Sequence, residues 1–164
     1  MVKANETRHP STAPPENILE STGYLESTGY SAKDYWTGAH TKHRLRVHLV
    51  WIPKYRKCVL EGAVAARLEV LLQEAAEVNR WRIQELAIQP DHVHLLLQMP
   101  PTASIASVVK SLKGGTSHAI RAEFPELKEF LWGKSFWAQG YFAESVGQVE
   151  ESVVSAYIRQ QKSS

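Results

Sequence analysis

HVHLLLQM, at residues 92–99, alternates strictly between two kinds of side chain. Because successive side chains of a β-strand point to opposite faces of its sheet, this alternation predicts a strand with two unlike faces. The apolar face would consist of Val93, Leu95, Leu97 and Met99, and the opposite face of His92, His94, Leu96 and Gln98. Two imidazoles on one face can share a divalent cation, although a lone His-x-His pair also fits hydrogen-bonded surface residues.

Hydrophobic periodicity predicts the elements around this strand. They are strands at 44–52 and 81–88, helices at 62–80 and 104–123, one or two short strands within 136–146, and a helix at 148–162. This order predicts an α+β fold: a ferredoxin-like or RNA-recognition-like antiparallel sheet with helices mainly on one face, plus a C-terminal helix. Gly114 and Gly115 within the second helix indicate a kink, a break or a close backbone approach to a phosphate.

Composition predicts one compact domain with an additional tail. The chain has 164 residues, 43% of them hydrophobic, which suffices for one core, and it has no apolar run of membrane-spanning length. Cys58 is the only cysteine, so an internal disulfide is excluded. We therefore expect a protein of the bacterial or archaeal cytoplasm without a membrane partner.

Residues 1–40 differ in composition from the rest. They are rich in Pro, Ser and Thr and carry LESTGY twice in tandem, at 19–24 and 25–30. Such a segment cannot supply a packed core, and two short copies are too few for a solenoid. We predict a mostly disordered tail at 1–40 and a folded domain at 41–164.

Positive charge is concentrated at residues 42–57, which hold six Lys or Arg and no acidic residue, interleaved with Trp51 and Tyr55. Phosphate neutralisation combined with aromatic stacking is typical of proteins that hold single-stranded nucleic acid. A solvated strand edge that positive charge protects from aggregation is the alternative. The pattern favours nucleic-acid contact.

The sequence QVEESVVSAYIRQQK, at 148–162, predicts an amphipathic helix whose apolar stripe is Val149, Val153, Ala156 and Tyr157, extended by Val154 and Ile158. Tyr157 and Gln161 are one turn apart and therefore neighbours on one face. Spacing alone equally fits a core tyrosine and a solvated glutamine.

Five stretches together resemble the single-tyrosine HUH transposases of the insertion sequence 200/605 family. They occur in that family's order and spacing: HLVWIPKYRKCVLEG from His48, PDHVHLLL from Pro90, SLKGGTSHAIRAEFPEL from Ser111, LWGKSFWAQGYFAESVG from Leu131 and YIRQQ from Tyr157. The resemblance implies that Tyr157 is the catalytic nucleophile and that His92, His94 and Gln161 bind a divalent metal, Mg²⁺ or Mn²⁺. It also implies the sheet architecture above and a homodimer whose active sites are shared between subunits. No P-loop-like glycine-rich stretch calls for a nucleotide cofactor.

The activity that this resemblance implies is transposition by nicking and rejoining single-stranded DNA, with hairpins near the element's ends as the recognised partner. Candidate DNA contacts are Lys54, Arg56, Lys110 and Lys113. His48 and His118 are expected to be ordinary polar surface residues or DNA contacts. Two alternatives stay open: a host-domesticated relative that processes palindromic repeats, and a non-catalytic module that binds single-stranded nucleic acid.

Overall fold

The computed structural model describes residues 35–37, 40–129, 131 and 135–163. It divides into residues 1–44 and residues 45–164. In the first unit, strands β1 (Trp36–Thr37) and β2 (Lys42–His43) pair antiparallel, and the Trp36 ring stacks on His43 with centroids 5.9 Å apart. Strand β1 lies within the predicted tail at 1–40. Residues 1–34 of that tail, which include both LESTGY copies, lie outside the described residues.

The second unit is built on a four-stranded antiparallel sheet. Its strands are β3 (Leu45–Trp51), β4 (Arg82–Gln89), β5 (His92–Met99) and β6 (Phe142–Ser145), in the order β4-β5-β3-β6. Its helices are α1 (Gly62–Val78), α2 (Ile105–Glu123) and α3 (Gln148–Lys162). Short 3-10 turns follow β3 and α2, at Lys54–Arg56 and Pro125–Lys128. The predicted α+β architecture is confirmed, and β5 has the predicted bounds.

One face of the sheet builds the main core. Val47, Leu49 and Trp51 of β3 and the apolar face of β5 cluster there with buried residues of α1 and α2. Leu95 and Leu97 are fully buried. The alternation in residues 92–99 thus positions β5 as predicted, because its apolar face is covered by both long helices.

Helix α3 packs on the opposite face. A small apolar cluster forms there from Ala87, Leu96, Val146 and Ile158, with Val154 against it. The predicted apolar stripe is only partly correct, since Val153 is 67% exposed and Tyr157 45% exposed. Two ion pairs fix the rotation of α3, Arg46 with Glu151 and Arg159 with Glu85, and they turn the Ile158 side of the helix toward the sheet. Val149 lies outside the residues whose side chains are described.

The predicted break at Gly114 and Gly115 is wrong, and the alternative of a close backbone approach to a phosphate stays a prediction. Helix α2 continues through both residues, and an added Cβ at either would meet nothing within 4 Å. The helix begins at a standard cap, where the Ser104 hydroxyl accepts a hydrogen bond from the Ser107 amide at 3.1 Å. The amphipathic face of α2 packs along its full length, with buried residues from Val108 to Ile120, and this packing offsets the low helix propensity of two glycines.

None of the helices in the described part of the chain is long and apolar enough to cross a membrane. The expected cytoplasmic location stays a prediction.

Candidate metal centre and nucleophile

His92 and His94 lie on the sheet face that α3 covers. In the register of the sheet, His94 is opposite Val50 of β3 and Ala87 of β4, so it occupies a central position. His92 is at the start of β5, opposite Gln89. The two ring centroids are 4.9 Å apart and the rings are nearly perpendicular, at 83°. The predicted projection of both imidazoles to one side is confirmed.

Tyr157 approaches this pair from α3. Its ring contacts the His94 ring edge-on, with centroids 5.3 Å apart and an interplanar angle of 84°. Sixty-three positions separate the two residues in the sequence, and the docking of α3 on β4 and β5 brings them together. Tyr157 is 45% exposed, so it contacts the histidine and is also accessible to solvent.

Gln161 lies at the same end of the sheet as His92. The Gln89 side-chain amide donates a hydrogen bond to the backbone carbonyl of Gln161, and Gln89 is the β4 partner of His92. Gln161 is half-buried. One chain therefore gathers all four predicted residues of the site on one face of the sheet, and the exchange of α3 between subunits stays a prediction.

His48 is a functional candidate that sequence reasoning missed. The expectation of a surface residue or DNA contact is wrong, because His48 is only 7% exposed. Its Nε2 lies 3.0 Å from Nδ1 of His94, and the two rings stack with centroids 5.3 Å apart. His48 and His94 both alternate onto the α3 side of neighbouring strands, and the strand register that makes them neighbours is not visible in one sequence. His118, by contrast, is exposed on α2 as expected.

Asp91 forms the corresponding contact with His92. Its Oδ1 lies 2.5 Å from Nδ1 of His92, and its Oδ2 accepts a hydrogen bond from Arg56 Nε at 2.7 Å. Arg56 follows Tyr55 in a turn where both residues have positive φ, 51° and 60°, which is uncommon for side chains of this size. The hydrogen bond with His92, burial and the guanidinium of Arg56 all act on Asp91, and their net effect lowers the pKa of its carboxyl.

Burial keeps His94 uncharged at neutral pH. Burial first, and then the neighbouring His92 and His48, together lower the pKa of His94 to about 4. Burial also lowers the pKa of His48, and the carboxylate of Glu144 opposes that shift. A neutral imidazole retains a lone pair, which is the form that binds a metal.

The donor set fits a divalent cation. Asp91 and His48 occupy Nδ1 of His92 and of His94, which leaves Nε2 of both rings for a ligand. Within the described ranges, no group of three or more His, Cys, Asp and Glu side chains could hold a metal. The predicted third ligand is instead an amide. The amide oxygen of Gln161 is a donor that magnesium and manganese accept.

The four predicted DNA contacts have different surroundings. Lys113 is half-buried, burial lowers its pKa, and its Nζ donates to the carbonyls of Ala138 at 2.8 Å and Gly140 at 2.6 Å. Lys54 lies over the Tyr55 ring, with Nζ 5.1 Å from the centroid, and Arg56 holds Asp91. Lys110 is exposed beside a cavity of about 440 Å³ that Lys113, Trp137 and Tyr141 also line. DNA contact by the four stays a prediction.

Comparison with known proteins identifies the family of the chain. A family model described as "Transposase IS200 like" matches residues 41–161. The ISDra2 transposase TnpA of Deinococcus radiodurans is 37% identical over 119 residues, covering 73% of this chain and 85% of the relative. The transposase for insertion sequence element IS200 of Salmonella typhimurium is 32% identical over 123 residues, covering 75% and 80%.

Solved structures show the same fold. A crystal structure from Deinococcus radiodurans R1, of a protein described as a transposase, superposes with a TM-score of 0.65 at 34% identity, covering 77% of this chain and 97% of the other. A REP-associated tyrosine transposase bound to a REP hairpin superposes with a TM-score of 0.56 at 14% identity, covering 70% and 64%.

The fold and the sequence matches together define the chain as a transposase. It belongs to the IS200-like family, within the IS200/605 group of single-tyrosine transposases.

Proposed function

We propose that this transposase nicks and rejoins single-stranded DNA at the ends of an insertion sequence through a covalent phosphotyrosine intermediate. The observation that carries the proposal is the contact of Tyr157 with His94, which lies on the inner strand β5. Tyr157 contacts a proposed metal ligand that is uncharged at neutral pH, and it is 45% exposed. A nucleophile that attacks a phosphodiester needs both a nearby cation site and access to its substrate.

The covalent step follows from the chemistry of the tyrosine hydroxyl. Its oxygen attacks the phosphorus and forms a new P–O bond, the hydroxyl proton passes to solvent, and the P–O bond to the neighbouring nucleotide breaks. The released oxygen takes up a proton and becomes a free hydroxyl. Because one phosphate ester replaces another, a hydroxyl of a second strand can reverse the step, and strands are rejoined without a nucleotide cofactor.

His92, His94 and Gln161 would hold the cation, Mg²⁺ or Mn²⁺, in this proposal. When bound, it would polarise a phosphoryl oxygen and offset the charge that develops during attack. The imidazoles would bind it through Nε2, since their Nδ1 atoms face Asp91 and His48. The docking of α3 on the sheet holds Tyr157 beside His94.

Hairpins near the ends of the element are the proposed form of the DNA. The REP-associated transposase, which has this fold, was solved on a REP hairpin, and that supports testing hairpins first. We further propose that exposed Lys110 and half-buried Lys54 contact phosphates. Lys113 and Arg56 are the other two proposed contacts, and both also hold protein groups, the 138–140 loop and Asp91 respectively.

We propose a homodimer in which α3 can also complete the site of the partner. The apolar cluster under α3 is small, and Gly147 precedes the helix as its N-cap. A helix held by so few apolar contacts can exchange between subunits at modest cost. The single-chain site described above would be one of its two docked positions.

A domesticated repeat-processing enzyme would use the same residues. Identity favours the mobile-element role, because it is 37% to the ISDra2 transposase and only 14% to the REP-associated one. A non-catalytic binding module would need neither Tyr157 nor a metal, and the experiment below separates it from both enzymes.

The test is a denaturing gel after incubation of the protein with labelled single-stranded hairpins from the flanks of its gene. With Mg²⁺ we expect a protein-linked DNA band, and we expect none with a chelator or with Tyr157→Phe. The Tyr157→Phe variant keeps the ring that contacts His94, so hairpin binding should persist.

Tyr141→Phe is the matched control, since Tyr141 is similarly exposed, at 44%, and lines the cavity beside α2. It should form the adduct as the wild type does. Binding of a verified flank hairpin without any adduct, under every metal condition, would replace the transferase proposal with the binding-module alternative. Cleavage of repeats from elsewhere in the genome, but not of the flanks, would favour the domesticated enzyme.

A further inference from the structure

His48 is a buried polar residue to which the proposed mechanism assigns no step. It lies on β3 opposite Leu96 of β5 on one side and opposite Glu144 of β6 on the other. The Phe142 ring packs edge-on against it, with centroids 5.9 Å apart. Its Nε2 faces Nδ1 of His94 at 3.0 Å. A histidine so enclosed is fixed in orientation, and its hydrogen bond leads directly to the proposed metal ligand.

The contact between two neutral imidazoles allows two placements of the proton. If His48 Nε2–H donates, His94 must carry its own proton on Nε2, and that atom cannot bind a cation. If His94 Nδ1–H donates instead, Nε2 of His94 keeps its lone pair. Only the second placement is compatible with His94 as a metal ligand.

We propose that His48 is a positioning residue: its Nε2 accepts the Nδ1–H of His94 and so holds His94 in the tautomer that presents Nε2 to the metal. The inference rests on the proposed metal-dependent function. Metal-binding histidines commonly donate their second N–H to an acceptor that fixes tautomer and ring orientation. His48 performs this role from a neighbouring strand.

The surroundings of His92 support the same design independently. Asp91 faces Nδ1 of His92 at 2.5 Å, just as His48 faces Nδ1 of His94. Each proposed ligand therefore has a different acceptor on the same ring atom, and in both rings Nε2 is the atom left for the metal.

The first measurement is the tautomer of His94, read from long-range ¹H–¹⁵N spectra of the imidazoles in the metal-free, full-length protein at neutral pH. We expect the His94 proton on Nδ1 in the wild type and in His48→Gln, whose amide oxygen can still accept. In His48→Phe, which cannot accept, we expect the proton to shift toward Nε2. This readout requires neither metal nor activity.

The second measurement is Mn²⁺ affinity, followed by the electron paramagnetic resonance of the free ion. Loss of an acceptor of this kind typically weakens metal binding about 10- to 100-fold, so we expect that loss in His48→Phe and recovery of most of it in His48→Gln. His118→Phe is the matched control, because it makes the same substitution at an exposed histidine on α2, and it should leave affinity unchanged. Thermal unfolding in chelator verifies that each variant is folded.

A wild-type His94 protonated on Nε2, in a protein that still forms the metal-dependent adduct, would overturn the inference alone. So would equal Mn²⁺ affinity in wild type and a folded His48→Phe. If the wild type neither binds Mn²⁺ nor forms the adduct, the proposed function fails, and the inference fails with it. Should His48→Phe not fold, the wild-type spectrum and His48→Gln still decide the question.

Discussion

The two faces of strand β5 are made by one alternating sequence but serve different ends. On one face, Leu95 and Leu97 are packed under α1 and α2 in a large apolar core. On the other, His94 and Gln98 are just as buried, with 6% and 1% exposed, under the single helix α3. Burial alone therefore does not distinguish a core from a site in this protein.

What distinguishes the faces is how buried polar groups are paired. On the α3 side, Arg46 pairs with Glu151, His48 with His94, and Gln98 accepts from Gln84 at 3.2 Å. Buried polar groups are tolerated only when hydrogen-bonded, and a network of this kind fixes side-chain directions more strictly than apolar packing does. Packing of the apolar face stabilises the fold, and the paired polar groups on the other face hold side chains in defined positions.

Of the substitutions that test the difference between the two faces, Leu95→Ala should have the largest effect on stability. Removing a fully buried leucine from a packed core costs about 2–5 kcal/mol, so we expect the free energy of unfolding in urea to fall by that amount. The fraction that remains folded should still bind Mn²⁺. The neighbouring change His94→Gln should give the opposite result, with Mn²⁺ binding lost and a smaller loss of stability. Equal effects of both changes on stability and on Mn²⁺ binding would contradict a division of roles between the faces.

The second largest effect should be on the pH dependence of folding stability, and it should arise from His94 on the polar face. Burial, with a contribution from His92 and His48, lowers the pKa of His94 to about 4 from 6.5, so between these values the unfolded chain binds more protons than the folded one. Stability conferred by neutral His94 is therefore present above pH 6.5 and is lost as pH falls toward 4, by up to about 3 kcal/mol. Urea unfolding in chelator at several pH values measures this.

The control for that prediction is His94→Gln, which has no titrating ring at this position. It should show a shallower decline of unfolding free energy between pH 6.5 and 4 than the wild type. Leu95→Ala, on the other face, should lower stability by the same amount at each pH. If wild type and His94→Gln decline in parallel, burial of His94 is not the source of the pH dependence.

Sequence patterns predicted the apolar face more completely than the polar one. The alternation in 92–99 predicted which side chains of β5 face the core, and helical periodicity predicted α3 to the residue. These signals are local, since they depend on side-chain period within one element. His92 and His94 were visible for the same reason.

The partners of those histidines were not predictable, because they depend on contacts between elements. His48 becomes a neighbour of His94 only through the register of β3 against β5. The rotation of α3, which leaves Val153 exposed, depends on ion pairs to β3 and β4. Glycine propensity left a break in α2 open, and the packing of α2 keeps the helix continuous. In each case a tertiary contact decided what a local pattern left open.

The smallest effects on stability should come from substitutions in two exposed ion pairs, one on each side of the sheet. Arg67 joins α1 to α2 through Glu123, with Nε to Oε2 at 2.8 Å, and Arg159 joins α3 to β4 through Glu85. Arg67→Gln should change neither stability nor adduct formation appreciably, because α1 and α2 share a large apolar interface.

Arg159→Gln should also leave global stability nearly unchanged, yet it should slow adduct formation and speed hydrogen exchange of the α3 amides. The reason is that few apolar side chains besides Ile158 and Val154 hold α3 on the sheet, so an ion pair is a larger part of its docking. Since Tyr157 reaches His94 only when α3 is docked, a small shift in that local equilibrium reduces the fraction of molecules ready to react. Equal exchange rates in Arg159→Gln and Arg67→Gln would mean that apolar contacts alone hold the tyrosine helix in place.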